Sequence, residues 1–464
     1  MLRSIPHARM RNPAQFLPHP FHARRDEMAS PSGDSCGTLS DSEEMGYEED
    51  IEGKLESSCD SRQVYLPGQD ECQPEEMDHE SSAYHMLHTA QSGAPCLSFD
   101  IIRDSLGDGR TSFPLTCYVM GGTQAQPGRQ NFIVLMKLYN LVRTLVEDGE
   151  DDDEDDGEEG PQMESVMIQH TGAVNRLRVA EGVQRNLVAT WSEQGTVSVW
   201  DTSRHVILLD SPSVGGAEAS AACLRGHQED PLYAFSGHQT EGYGLAWSPT
   251  FPGRLATGDC TKNIYIWEPK EEGVWQVGPN PLVGHTNSVE DIQWSPNEPS
   301  VLATCSVDQT VRIWDCRAKA EKACMLTTNA HNTDVNVISW NHSEPLLVSG
   351  ADDGSLKIWD LRQFGKGEAS AEFQYHSGPV TSVEWAWHDS TVFASSGADH
   401  QVVQWDLAVE RDGGNDEVEG VPPQLLFIHQ GQRELKELHW HPQLPGVLIT
   451  TALSGFNIFR TISV

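Results

Sequence analysis

Histidine is the residue type in this chain with the most chemical promise, because six of them recur in register. His170, His238, His285, His331, His376 and His429 precede Trp200, Trp267, Trp314, Trp359, Trp405 and Phe459, respectively, by 28 to 30 residues each. Three of these intervals also hold an aspartate at one fixed place: Asp308, then Asp352 or Asp353, then Asp399. A His–Asp pair can ligate a metal or orient a general base. Repetition argues against both uses, since a catalytic constellation occurs once, whereas a side chain required by a structural unit recurs with the unit. The histidines are expected to be buried hydrogen-bonding groups, and the tryptophans core residues. The chain carries no P-loop, GxSxG elbow, HExxH pair or kinase motif set. Acidic pairs such as Glu43–Glu44 and Asp352–Asp353 fall in surface or turn text. The expectation is a non-enzymatic protein with no catalytic residues, no cofactor and no metal.

Charge is the second chemical resource. Of 464 residues, 69 are acidic and 31 basic, a formal charge of −38. Residues 147–159 alone hold eleven acids in thirteen positions. Such a polyanion repels nucleic acid and anionic membranes, whose binding rests on Lys and Arg displacing counterions. It attracts basic proteins and speeds their encounter. The ten cysteines show no CxxC pair and no disulfide spacing, which points to a reducing compartment, with Cys305, Cys316 and Cys324 as small buried residues. No apolar run approaches the roughly 20 residues of a membrane span. Residues 1–25, with five Arg, four Pro and no acid, are expected to be a disordered extension rather than a transit helix, and Met28 offers a second start.

These side chains must be positioned by strands. GHTNSVEDIQWSP, AHNTDVNVISWN and YHSGPVTSVEWAW occupy one slot of the repeat, and CSVDQTVRIWD, GADDGSLKIWD and GADHQVVQWD the next. Apolar and polar residues alternate within each, the period of a strand, and Asp-Gly pairs suit tight hairpins. The His-to-His steps of 47, 46 and 45 residues resemble WD40 repeats, which form four-stranded blades. The expected fold is all-β: a seven-bladed WD40 β-propeller with a short N-terminal helix and a disordered acidic N-terminal region. Six blades come from the registers, and the strands 114–122 and 131–142 raise the number to seven, with N-terminal strands completing the C-terminal blade. Residues 1–74 are expected to be disordered, 75–92 a helix carrying Met77, Tyr84 and Leu87 on one face, and 93–464 the propeller. An acidic disordered loop at 147–160 and inserted loops at 202–230 and 409–424 interrupt it. By the WD40 resemblance, His285, Asp308 and Trp314 form one buried set. His331, Asp352 or Asp353 and Trp359 form a second, and His376, Asp399 and Trp405 a third.

Three stretches are more specific. EGYGLAWSP (241–249), GHTNSVED (284–291) and PPQLLFIHQG (422–431) resemble the histone-binding WD40 group, and with the acidic run the chain from about 60 onward resembles its glutamate-rich, ribosome-biogenesis type. That resemblance implies a nuclear and nucleolar chaperone or scaffold of ribosome biogenesis and chromatin. It would bind core histones, a large-subunit ribosomal protein and pre-ribosomal particles as a monomer, without sequence-specific nucleic-acid contacts. It implies two partner surfaces. One is a groove between the N-terminal helix and a double-proline loop, formed by Tyr84, Leu87, Pro422, Pro423, Leu426 and Phe427, with Glu417 and Glu419 facing a basic amphipathic helix. The other is the top of the channel, with Glu241, Tyr243, Glu290 and Asn336, while Ala173 and Pro379 stand where further acids would help. WDCR (314–317) and WDLR (359–362) resemble the WDxR box of cullin-RING ligase receptors, which implies a ligase adaptor on Arg317 and Arg362.

Overall fold

The computed structural model describes residues 81–144, 160–210, 229–409 and 421–464. Its strands form seven four-stranded antiparallel sheets, each a meander from an innermost to an outermost strand. The seven innermost strands are Cys96–Ile102, Val174–Val179, Gly242–Trp247, Val289–Trp294, Val335–Trp340, Val380–Trp385 and Glu437–Trp440, in blades 1 to 7. Both faces of each blade pack on neighbours, so the strands are buried on both sides: the third strand of blade 4, Thr310–Asp315, has four of its six residues buried. Apolar clusters fill the wedges between blades. Trp191, Trp267, Trp314, Trp359, Trp385 and Trp405 are among the largest fully buried side chains, and aromatic residues of this size dominate core energetics.

The N-terminal segment departs from expectation. In place of a helix over 75–92, a single 3-10 turn at Ser81–Ala83 leads into a strand, Tyr84–Ala90; residues 75–80 lie outside the described ones. Leu87 pairs with Phe459 and His88 with Ile458, so this strand is the outermost strand of blade 7. The physical reason is the open edge of Gly455–Thr461, whose backbone groups need partners more than a short helical pattern needs to form. Ring closure thus comes from 84–90. The strands expected at 114–122 and 131–142, observed as Leu115–Thr123 and Asn131–Leu141, belong instead to blade 1, between Cys96–Ile102 and Gln162–His170.

The only α-helix among the described residues, Ser203–Asp210, lies in the stretch expected to be an inserted loop at 202–230. Its Leu209 and Val206 pack on the cluster of Tyr118, Leu135 and Val166, and its last residue, Asp210, is held by Tyr118 and by Lys137 at 3.0 Å. Residues 211–228 are outside the described ones, as are residues 1–74, 147–159 and 410–420.

Candidate functional site: the two mouths of a polar channel

Each repeated histidine sits in a proton relay between blade walls. In blade 4 the Trp314 indole N–H donates to Thr304 Oγ1 at 2.8 Å, Thr304 bonds His285 Nε2 at 2.7 Å, and His285 Nδ1 meets Asp308 Oδ2 at 2.9 Å. The order fixes a neutral imidazole with its proton on Nδ1, and burial accordingly lowers the affinity of His285 for a second proton. Blade 6 repeats it with Trp405, Ser395, His376 and Asp399. In blade 5, Trp359 and His331 share Ser349, but His331 Nδ1 reaches Ser355, which donates to Asp353 at 2.6 Å. Asp352 is not part of that set; its Oδ1 accepts from Asn336 instead. Blade 3 adds a relay of Trp267, Thr257, His238 and Asp259. The hydroxyl in the middle of each relay escaped the sequence reading. Its signal is a Ser or Thr ten residues before each closing Trp, visible only once the strands are aligned.

The innermost strands leave one edge facing the channel, and unpaired buried N–H groups there would be costly. Side chains from the preceding blade cap them. Asp100 accepts from Val179 N at 2.7 Å, Asp291 from Ile338 N at 3.1 Å, Gln293 from Trp340 N at 3.0 Å and Glu384 from Trp440 N at 2.9 Å. Glu437 closes the circle by accepting from Phe99 N at 2.8 Å and Ser98 Oγ at 2.7 Å. The channel is therefore polar and rich in carboxylates because its wall is a ring of strand edges. Arg176 and Arg178 each bond Glu437 Oε1 at 2.7 Å. Burial opposes charge on Glu437, yet Arg178, His439 and Arg176 hold its carboxyl well below the usual range.

At the top, where the innermost strands begin, the pairing shifts register by one residue in blades 1 to 6. Such a bulge re-aims one side chain away from the ladder. The re-aimed residues of blades 2 to 5 are Asn175, Tyr243, Glu290 and Asn336. Asn175 Nδ2 donates to Glu241 at 2.9 Å, and Asn336 Nδ2 to Asp352 at 3.1 Å. Burial pushes the Glu290 carboxyl up, and Asp334 and Asp352 push it further, although Ser288 and Arg176 counter them. Desolvation raises the Tyr243 phenol, with Glu241 and Glu290 adding to it. The top mouth thus gathers Glu241, Tyr243, Glu290 and Asn336, together with Asp334 and Asp352, two acids that the sequence did not flag for it. Ala173 is buried and Pro379 half-buried beside it.

Around the outer edge, Tyr84, Leu87 and Phe427 share one cluster with Trp440 and Phe459. Tyr84 is buried, bonds His429 Nδ1 at 2.8 Å and meets the Phe427 ring edge-on at 5.4 Å. It is a packing residue of blade 7 rather than an open groove wall. Leu87, Pro422, Pro423, Leu426 and Phe427 are half-buried; Glu417 and Glu419 lie outside the described residues. Arg317 and Arg362 each keep 70% of the side chain exposed and bind Asp315 and Asp360 of their own WD pairs at 2.7 and 2.8 Å. Strand direction puts both on the bottom face, opposite the Glu290 mouth. Of the three cysteines expected inside, Cys305 is buried, while Cys316 and Cys324 are half-buried.

Comparison with known proteins bears on this geometry. Residues 74–142 match the family described as histone-binding protein RBBP4 or its counterpart in the CAF1 complex, and residues 279–315, 322–360 and 367–406 match the WD domain, G-beta repeat. The chain is 43% identical to Protein HEAT STRESS TOLERANT DWD 1 of Arabidopsis thaliana, over 85% of this chain and 90% of that one. It is 39% identical to ribosome assembly protein rrb1 of Schizosaccharomyces pombe, over 87% and 85%. With Glutamate-rich WD repeat-containing protein 1 of Dictyostelium discoideum the identity is 41%, over 86% and 85%. The WD40 β-propeller domain of Doa1 superposes with a TM-score of 0.53 at 15% identity, covering 81% of this chain and 96% of that one, a likeness of fold alone.

Proposed function

Because this chain belongs to the glutamate-rich WD-repeat family, we propose that it is a WD40 scaffold of ribosome assembly that works without catalysis, in the nucleus and nucleolus, by holding basic proteins. The clients are core histones and a large-subunit ribosomal protein, and the mode is that of a chaperone, screening their positive charge until they are delivered to chromatin or the pre-ribosome. The observation that carries this reading is the top mouth, where Glu241, Glu290, Asp334 and Asp352 converge and burial leaves Glu290 short of compensating cations. An arginine or lysine entering there gains charge-assisted hydrogen bonds in a partly desolvated site. A basic amphipathic helix would lie along Leu87, Pro422, Pro423, Leu426 and Phe427, with Glu417 and Glu419 pairing its cations.

Titration of purified H3–H4 onto the full chain, alongside the Glu241→Gln/Glu290→Gln double variant, tests the mouth. At least tenfold weaker binding with an unchanged urea midpoint is expected; equal affinity would remove the mouth from the function. Deleting 147–159 is expected to weaken capture further and to flatten its salt dependence.

The exposed pair Arg317 and Arg362 favours a second reading, a ligase adaptor docked on the bottom face. Changing both to Ala should abolish adaptor capture and leave histone binding intact, and adaptor capture that survives would end this reading.

A further inference from the structure

A cavity of about 240 Å³ opens at the bottom of the channel, at the opposite end from the Glu290 mouth. That is far above the roughly 10–15 Å³ that one water occupies on this measure. Its lining includes five carboxylates, Asp100, Glu181, Asp291, Glu384 and Glu437, against the cations Arg176, Arg178 and His439. His439 counts as a cation because, although burial disfavours its charge, Glu384 and Glu437 push its pKa up to about 10. Its Nε2 lies 3.6 Å from Glu437 Oε2 and makes no hydrogen bond. The cavity therefore carries more negative than positive charge, and burial drives the Asp100 and Asp291 carboxyls upward. Four indoles, Trp247, Trp294, Trp340 and Trp387, complete the wall.

At the rim the chain displays the ligand chemistry on itself. Arg103 places its guanidinium 5.7 Å from the Trp387 ring centroid and 3.3 Å from Glu181, while 40% of the side chain stays exposed. The other partner of that ring is His342, stacked at 3.9 Å. A carboxylate beside an indole face is a guanidinium receptor.

We propose that this cavity binds an arginine side chain of a basic partner protein, in the place that Arg103 partly fills in the free chain. The incoming guanidinium displaces Arg103 from Trp387 and Glu181 and extends inward toward Glu384. This site is separate from the top mouth and stands whether or not that mouth holds histones. It lets one propeller grip a basic protein from either end of its channel.

The test uses the full chain and a blocked Gly-Ala-Arg-Ala-Gly peptide, with binding followed by tryptophan fluorescence and calorimetry. Saturable binding is expected, weakened at least tenfold by Trp387→Ala and by Glu181→Gln, both on loops outside the strands. Arg103→Ala, by vacating the rim, is expected to tighten it severalfold. Glu290→Gln at the top mouth should leave it unchanged. Peptides with lysine or citrulline in place of arginine separate the chemistry: the site should discriminate against both, citrulline more strongly. Citrulline bound as well as arginine, lysine bound equally, or an arginine affinity indifferent to Trp387→Ala would each overturn the proposal.

Discussion

Thr304 accepts the indole N–H of Trp314 and passes its own proton to His285, so one hydroxyl satisfies two buried rings. Thr304→Val keeps the shape and removes both bonds, leaving two buried polar groups unpaired at roughly 1–3 kcal/mol each. A loss of about 2–4 kcal/mol in urea denaturation is expected, and a loss below 1 kcal/mol would show that water or repacking replaces the relay. The sequence displayed the ends of these relays because His and Trp are rare and conspicuous. It hid their middles, since Thr257, Thr304, Ser349 and Ser395 are interchangeable and common. The imidazoles also set a pH dependence. Burial, with Lys357 adding to it, lowers His331 to about 4, and burial lowers His441 to about 3. Unfolded, both would titrate near 6.5. Their contribution is thus complete above pH 6.5 and lost as pH falls toward 4, because the unfolded chain takes up the protons first. His331 alone predicts about 2–3 kcal/mol less stability at pH 4.5 than at pH 7.5, at 1.36 kcal/mol per pKa unit. Urea midpoints at the two pH values check this, and flat midpoints would refute it.

The hairpin between the second and third strands of a blade requires one left-handed residue, and the chain fills that place in several ways. Gly195 and Gly354 occupy it in blades 2 and 5, but Lys262, Gln309 and His400 hold φ of 74°, 68° and 68° in blades 3, 4 and 6. Aspartate offsets the strain in blade 4: Asp308 Oδ1 accepts both Thr310 Oγ1 at 2.6 Å and Thr310 N at 3.1 Å. Gly354 is constrained from outside as well, since a Cβ there would lie 2.1 Å from the His376 carbonyl oxygen. Gly367 has a similar φ of 74° with open space around it. Gly367→Ala should therefore cost only the left-handed penalty, about 1–2 kcal/mol, while Gly354→Ala should cost clearly more because backbone must also move. Thermal unfolding of the pair decides it, and equal losses would deny the close contact. Hairpins of this kind were legible from Asp-Gly text. The strand at 84–90 was not, because HMLHTA carries no signal stronger than its spacing, and what makes it a strand is an edge about 370 residues away in sequence.

At the scale of the whole ring, seven blades could be counted from the sequence because each repeats the same period. How they are stitched at the centre could not, because Glu437, Arg176 and Arg178 occupy positions that other blades fill with Val337, Gly244 or Gln293. The link is made once, between blades 7, 1 and 2. Glu437 is 1% exposed and bonds Ser98, Phe99 N, Arg176 and Arg178 together. Removing its charge strands two guanidiniums inside a wall from which they cannot reach water. Breaking a buried pair in this way costs about 3–5 kcal/mol. Glu437→Gln keeps the shape and some of the hydrogen bonds, so its loss should fall near the lower end of that range. The loss should also be insensitive to salt. Ions screen exposed charges over a Debye length of about 8 Å at 0.15 M, but they do not enter a site closed on all sides by strand edges. Urea denaturation of both proteins at 50 and 500 mM NaCl should give the same difference, whereas arginine-peptide binding at the channel mouths should weaken over that interval. A Glu437→Gln penalty that shrinks with salt in step with peptide binding would mean that the centre of the ring is open to solvent, and that the chain is closed by the 84–90 strand alone.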